Sequence, residues 1–189
     1  MNILIAGVGG QGTLLASKVL GEYGVKAGFQ VKINEIHGMS QRGGSVVTHV
    51  RIAKEVFSPT VTEGEADVLL AFEELEAARF AHYLKKDGTL IVNTQRINPL
   101  PVINGACEYP EDLRVVLGKL PINTVYTDAF ALARRAGNIR TVNTVMIGRM
   151  TKLLALDIKI MTDAVKAVSP PAALEYNLRA LEIGFGSHE

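Results

Sequence analysis

Residues 2–12 read N-I-L-I-A-G-V-G-G-Q-G, a short apolar run that breaks directly into glycines. The apolar run predicts a strand, and the pattern after the glycines predicts a helix over residues 12–27 and a second strand over 31–36. In this position Gly7 permits a tight turn and Gly9 permits a ligand to approach the backbone closely. The stretch therefore predicts a βαβ opening.

The rest of the chain alternates short apolar runs with helical patterns. Further strands are predicted at residues 45–52, 68–72, 89–93 and 123–127, and further helices at 73–84, 111–118, 128–136, 143–155, 159–168 and 172–183. The alternation in residues 45–52 predicts a strand near a sheet edge, with one of its faces more hydrated than the other. The apolar helix 143–155 is expected to be buried or to lie against a partner. The prediction is one α/β domain, a three-layer α/β/α Rossmann-like fold with a mainly parallel sheet and a helical C-terminal tail.

Composition and charge exclude several classes of protein. Twenty basic and nineteen acidic side chains in 189 residues give a net charge of +1, which does not suit a nucleic-acid partner. The single cysteine, Cys107, cannot form an intramolecular disulfide or hold a zinc ion or an iron–sulfur cluster by itself. The start of the chain has the pattern of neither a signal peptide nor a membrane span, so we expect a cytoplasmic protein with no membrane contact and no metal site.

The glycine turn has two interpretations. Because a helix N-terminus offers free N–H groups and the positive end of its dipole, a bound phosphate is expected here, and Glu35 occupies the position of a ribose-binding carboxylate in dinucleotide sites. Alternatively, the glycines only close the first turn against the sheet. The candidate phosphate-binding residues are Gly7, Gly9, Gly10, Gln11 and Gly12.

The segment 37–44 reads H-G-M-S-Q-R-G-G and presents polar side chains between glycines. The side chains of His37, Ser40, Gln41 and Arg42 place an imidazole, a hydroxyl, an amide and a guanidinium on a backbone that can approach another molecule. The segment is therefore predicted to be a contact surface. The alternative is a surface turn whose polar groups hydrogen-bond to their own backbone.

Other polar residues give weaker signals. His49 is expected to be a solvated strand residue, and His82 and His188 are expected to be exposed. Glu73, Glu74 and Glu76, at the start of a predicted helix, are interpreted as favourable partners of the helix dipole and not as a catalytic acid pair. The sequence contains no recognisable Ser-His-Asp set and no metal-ligand spacing, so the chain is predicted to supply part of a site.

These motifs resemble the small subunit, called γ or β, of the 2-oxoacid:ferredoxin oxidoreductases. The resemblance is strongest to the β subunit of the indolepyruvate enzymes, and it makes residues 1–189 a single γ-type catalytic domain of the pyruvate/ketoisovalerate ferredoxin oxidoreductases. It is carried by residues 7–12, 37–44, 49–51, 58–59, 64–67, 72–73, 76–77, 93, 143–148 and 177–184.

The resemblance implies a complex that oxidatively decarboxylates an aryl or other 2-oxoacid with coenzyme A and passes electrons to ferredoxin. The resemblance implies that thiamine diphosphate and iron–sulfur clusters carry this chemistry on a large partner subunit, and the single cysteine of this chain agrees with that division. The loop with Ser40, Gln41 and Arg42 is expected to cross the subunit interface and hold a substrate carboxylate or coenzyme A phosphates. The glycine turn would hold a phosphate of coenzyme A or of a nucleotide, and the chain alone would be inactive.

Two other functions remain compatible with the sequence. One is a self-contained NAD(P)-dependent oxidoreductase that uses the glycine turn and Glu35. The other is a non-catalytic assembly or binding subunit.

Overall fold

The computed structural model describes residues 1–37 and 44–187, so His188 lies outside it. The strands are β1 Asn2–Val8, β2 Gln30–His37, β3 Ser45–Ala53, β4 Ala66–Ala71, β5 Leu84–Asn93 and β6 Asn123–Thr127. The helices are α1 Thr13–Lys26, α2 Glu74–Phe80, α3 Leu100–Ile103, α4 Leu113–Gly118, α5 Ala129–Ala136, α6 Val142–Leu153, α7 Ile158–Val168 and α8 Leu174–Gly186. Single turns of 3₁₀ helix occupy Ala81–Tyr83, Ile139–Thr141 and Pro171–Ala173.

The strands form one mixed sheet in the order β2-β3-β1-β4-β5-β6. Strands β1, β4, β5 and β6 are parallel, whereas β3 is antiparallel to both of its neighbours, β1 and β2. This confirms the mainly parallel α/β prediction. It also shows that β3 is inserted between the two strands of the predicted βαβ opening.

Helices cover both faces of the sheet. On one face, buried side chains of α1, α5, α6, α7 and α8 pack against alternate residues of the central strands, and on the other face α2 and α4 do so. The alternation follows from the two-residue period of a strand: Ile3 and Ile5 belong to the first core, and Leu4 and Ala6 to the second. The predicted three layers and helical C-terminal tail are therefore present.

The prediction of a hydrated face on β3 was wrong. Residues 46–50 are all buried, including His49, which is 1% exposed. The segment that follows β3 covers this face, and the Val61 N–H donates to His49 Nδ1 at 3.2 Å. The polar alternation of β3 thus reflects buried side chains with partners inside the chain.

The structure corrects one helix prediction and bears out another. The predicted helix 73–84 ends as α2 at Phe80, because a 3₁₀ turn follows and β5 begins at Leu84. Helix α6 is buried along residues 142–151 by α8 and its other neighbours within the chain, which is the first of the two alternatives predicted for this apolar helix. Within residues 1–37 and 44–187, no helix is long and apolar enough to cross a bilayer.

Candidate functional site

The carboxyl ends of the parallel strands meet at one edge of the sheet. The glycine turn follows β1, Glu73 follows β4, and Gln95 follows β5. In sheets of this kind ligands bind beyond the carboxyl ends of the strands. This edge is therefore the candidate functional site.

The Gln11 side chain shapes the glycine turn from within. Its Oε1 accepts from the Val8 N–H at 2.8 Å, and its Nε2 donates to the Phe72 carbonyl at 2.8 Å. Gly10 and Gly12 have φ angles of 101° and 80°, a region that favours glycine. Because the Gln11 amide is engaged inside the chain, the turn offers a ligand mainly its backbone.

Helix α1 begins at this turn without a side-chain cap, since Gly12 occupies the N-cap position. The Gly12 carbonyl accepts from Asn143 Nδ2 at 3.2 Å, and the Asn143 side chain is buried. A Cβ at position 12 would lie 2.7 Å from that nitrogen. Glycine is therefore required at position 12 by both φ and space, and the start of α6 holds the start of α1.

A cleft of about 470 Å³ opens beside the turn. One wall carries the glycine turn and Gln95, and the opposite wall carries apolar side chains and the exposed Arg140. Its lining residues are Gly9, Gly10, Gln11, Gly12, Gln95, Ile97, Phe130, Ile139, Arg140 and Val142. Backbone N–H groups, a guanidinium and an apolar wall suit an anionic ligand with an apolar part.

Glu73 connects several segments of this edge, and its side chain is 1% exposed. Its Oε2 accepts from the N–H groups of Leu75 at 2.6 Å and Glu76 at 3.0 Å, which caps α2. Its Oε1 accepts from the Ile97 N–H at 3.1 Å and the Tyr109 hydroxyl at 2.6 Å. Burial and the bond to Glu73 raise the pKa of the Tyr109 phenol. The predicted role at the helix dipole is thus one part of a wider structural role.

The structure brings both ends of the polar segment 37–44 to the same edge. His37 ends β2 and Gly44 precedes β3, while Ser40, Gln41 and Arg42 lie outside the described residues. The Gly9 N–H donates to the Gly44 carbonyl at 2.9 Å, which joins the end of the segment to the glycine turn. The glycine turn and the described end of the polar segment are therefore neighbours in space.

The next residue, Ser45, fastens the same end of the segment to α2. Its hydroxyl donates to Glu76 Oε2, and Glu76 Oε1 accepts from Arg79 Nε at 3.2 Å. The Glu76 side chain is buried, whereas the Arg79 side chain is half exposed, so Glu76 joins the interior to the surface at this point. No motif in the sequence indicated this Ser–Glu–Arg contact, because its members come from two distant parts of the chain.

Glu35 does not occupy the position that a dinucleotide site requires. Because β3 lies between β1 and β2, Glu35 is two strand spacings from β1, about 10 Å instead of about 5 Å. Its Oε2 accepts from the Thr48 hydroxyl at 3.1 Å. The structure therefore removes the ribose-binding role that the sequence suggested for Glu35.

The single cysteine and the side chains that could bind a metal ion are the remaining candidates. Cys107 is exposed and forms no disulfide, and it lies in the connection between α3 and α4. Among residues 1–37 and 44–187, no group of three or more His, Cys, Asp or Glu side chains is arranged to hold a metal ion.

Known proteins are similar to this chain over almost its whole length. The model of the pyruvate ferredoxin/flavodoxin oxidoreductase family matches residues 2–187. The indolepyruvate oxidoreductase subunit IorB of Pyrococcus horikoshii is 41% identical over 188 residues, which cover 97% of this chain and 93% of that protein.

Two solved structures share the fold. The keto/oxoacid ferredoxin oxidoreductase γ subunit of Geobacter sulfurreducens superposes with a TM-score of 0.73 at 24% identity, covering 97% of this chain and 95% of that one. The 2-oxoglutarate:ferredoxin oxidoreductase of Magnetococcus marinus gives a TM-score of 0.73 at 18% identity and covers 98% of this chain but 30% of its own. The match along residues 2–187 and the identity to IorB show that the chain belongs to the pyruvate ferredoxin/flavodoxin oxidoreductase family.

Proposed function

We propose that this chain is the small subunit of an indolepyruvate-type 2-oxoacid:ferredoxin oxidoreductase. The observation that carries the proposal is the 41% identity to an indolepyruvate oxidoreductase subunit over nearly the whole of both chains. The Magnetococcus oxidoreductase supports a role as part of a larger assembly, because the matching region is 30% of that chain.

The proposed reaction converts a 2-oxoacid and coenzyme A to an acyl-CoA, carbon dioxide, a proton and two electrons, which ferredoxin accepts. A large partner subunit would hold thiamine diphosphate and the iron–sulfur clusters, which supply the carbanion chemistry and the electron path. The single cysteine of this chain supports that division, because a cluster needs several thiolates. Aryl 2-oxoacids are the proposed substrates.

The chain's own contribution is to bind and orient the substrates. The cleft beside Gly9–Gly12 would hold a phosphate of coenzyme A, with the N–H groups of Gly10 and Gly12 as donors and Arg140 as a nearby cation, because the N–H groups of Gly9 and Gln11 bond within the chain. The segment with Ser40, Gln41 and Arg42 would hold the 2-oxoacid carboxylate or further coenzyme A phosphates across the subunit interface. The bond from Gly9 to Gly44 supports this proposal because it joins the end of the segment to the glycine turn.

Co-expression with the large subunit tests this function. The expected result is a stable complex that reduces ferredoxin or a viologen dye when a 2-oxoacid and coenzyme A are both present. The isolated chain should show no such activity. A chain that reduces the dye alone, or that never associates with the large subunit, would contradict the proposal.

A matched titration addresses the NAD(P)-dependent alternative. The displaced Glu35 leads us to expect no enhancement of NADH fluorescence when the isolated chain is added. Saturable enhancement would favour a nucleotide-dependent oxidoreductase instead. The pure assembly role is tested by the Arg42 variants described in the Discussion.

A further inference from the structure

A second concave surface lies at the opposite end of the sheet from the candidate site. This groove, of about 370 Å³, lies between the start of β5 and the connection from α4 to β6. Seven of its ten lining residues are apolar, and the other three are His82, Lys85 and Lys86. We call it the amino-edge groove.

A bulge at the start of β5 forms one wall. Ala66 of β4 pairs with Leu84, but Val68 pairs with Thr89, so residues 85–88 leave the regular ladder. Asp87 has a φ of 61°, an uncommon conformation for a residue other than glycine. Bulges of this kind redirect side chains, and here the bulge carries two lysines to the rim of the groove.

Two hydrogen bonds tie this bulge to the opposite wall. The Asp87 N–H donates to the Pro121 carbonyl at 2.9 Å, and Asn123 Nδ2 donates to the Asp87 carbonyl at 3.0 Å. The walls are therefore fixed relative to each other before any ligand arrives. A preformed groove avoids part of the ordering cost of binding.

Of the basic side chains at the rim, Lys86 lacks an anionic partner among the described residues. Lys85 Nζ pairs with Asp67 Oδ1 at 2.5 Å, and His82 Nε2 lies 3.5 Å from Glu63 Oε1. Lys86 makes no ion pair or side-chain hydrogen bond within residues 1–37 and 44–187. No carboxylate lines the groove. Its excess is thus a single positive charge beside an apolar surface.

We propose that the amino-edge groove binds a small organic monoanion with an apolar body, such as an aryl or alkyl carboxylate free in solution. The body would cover Val116 and Leu120, which are 44% and 37% exposed, and the carboxylate would pair with Lys86. One spare cation matches a monoanion, whereas a nucleotide diphosphate or triphosphate brings several negative charges. The volume lies at the lower end of the range for small-molecule sites, roughly 300–1,000 Å³.

The test uses the full chain and three probes: 2-naphthoate, the neutral 2-naphthamide and acetate. Calorimetry should show one site for 2-naphthoate, binding of the amide weaker by about threefold to fivefold, and no binding of acetate. Lys86→Gln should weaken 2-naphthoate binding by the same factor. Val116→Glu should weaken it by about tenfold or more, because it removes apolar contact and adds a negative charge.

Lys119→Gln is the matched control, since Lys119 is exposed nearby but does not line the groove. It should keep the wild-type dissociation constant, and circular dichroism should show that all three variants are folded. The inference is overturned if the wild type does not bind 2-naphthoate or if the amide binds equally well. It is also overturned if both groove variants bind like the wild type. The outcome is independent of the proposed enzymatic function, which concerns the other end of the sheet.

Discussion

Gly148 of α6 and Gly184 of α8 face each other where the two helices cross. An added Cβ at Gly148 would overlap the Leu181 carbonyl oxygen, and one at Gly184 would overlap the Val145 carbonyl oxygen. The obstructing atoms are backbone, which cannot turn aside as a flexible side chain can. The pair therefore sets the distance between α6 and α8, and this contact buries α6 within the chain.

Alanine at either glycine should destabilise the protein. Gly148→Ala or Gly184→Ala would force the helices apart, and overpacking of this kind costs about 1–3 kcal/mol in the free energy of unfolding. Urea unfolding measures the effect. Gly186→Ala is the control on the same helix, since a Cβ there meets nothing within 4 Å. Equal stability of Gly184→Ala and Gly186→Ala would contradict the close crossing.

Glu73 should be essential to the structure of the sheet edge at which the carboxyl ends of the parallel strands meet. Glu73→Gln replaces one acceptor oxygen of a buried carboxylate with an NH₂ group, although both oxygens accept hydrogen bonds. One buried donor then faces another, a loss of about 2–4 kcal/mol. Tyr109→Phe removes one of these bonds and should cost about 1 kcal/mol.

The matched control for Glu73 is Glu108→Gln, because Glu108 is exposed and near Tyr109 in the sequence. Denaturant unfolding should rank the variants Glu73→Gln, Tyr109→Phe and Glu108→Gln in order of decreasing destabilisation. A Glu73→Gln protein as stable as the control would show that the network contributes little.

His49 should make the stability depend on pH in mildly acidic solution. Burial lowers its pKa from the ordinary value of 6.5, so the folded chain keeps His49 neutral where the unfolded chain takes up a proton. Its contribution is complete above pH 6.5 and declines as pH falls towards the folded pKa, by up to about 1.4 kcal/mol per pH unit. The free energy of unfolding between pH 8 and pH 5 measures this decline.

His49→Asn, which cannot titrate, should remove this part of the slope. His82→Asn is the comparison, because His82 is exposed and its removal should leave the decline in place. If His49→Asn keeps the wild-type slope, the loss of stability has another source.

Local signals in the sequence predicted much of the fold. The glycine turn and the helix predicted from residue 128 depend on neighbours in the chain, and the Asp128 side chain accepts from the Ala131 N–H and so caps α5. The position of β3 between β1 and β2 depends on pairing between distant segments, which periodicity does not report. Placing β3 there moved Glu35 away from the glycine turn.

The candidate site also combines features set by local sequence with features set by contacts between distant residues. The glycine positions followed from the strand-turn-helix pattern, whereas the buried state of His49 depends on the backbone at Val61. The four bonds to Glu73 join residues up to 36 positions apart, so a helix-start pattern revealed only those made inside α2. From sequence alone, a polar side chain in a strand is interpreted as hydrated, because the partner that satisfies it in the interior comes from elsewhere in the chain.

Arg42 provides the most direct test of the polar segment that begins and ends at the candidate site. If its guanidinium pairs with a substrate carboxylate or a coenzyme A phosphate, Arg42→Ala removes a charge-assisted contact of about 1.5–3 kcal/mol. Turnover of the reconstituted complex should then fall by about one to two powers of ten. Arg42→Lys should recover little, because an ammonium does not reproduce the two-pronged geometry.

The assay for Arg42 uses the complex with saturating coenzyme A and varied 2-oxoacid, with subunit association checked by sedimentation. Arg179→Ala is the control, since Arg179 is exposed on α8 and does not line the cleft beside the glycine turn. It should behave as the wild type. An intact Arg42→Ala complex with wild-type kinetics would place Arg42 and its segment outside the active site.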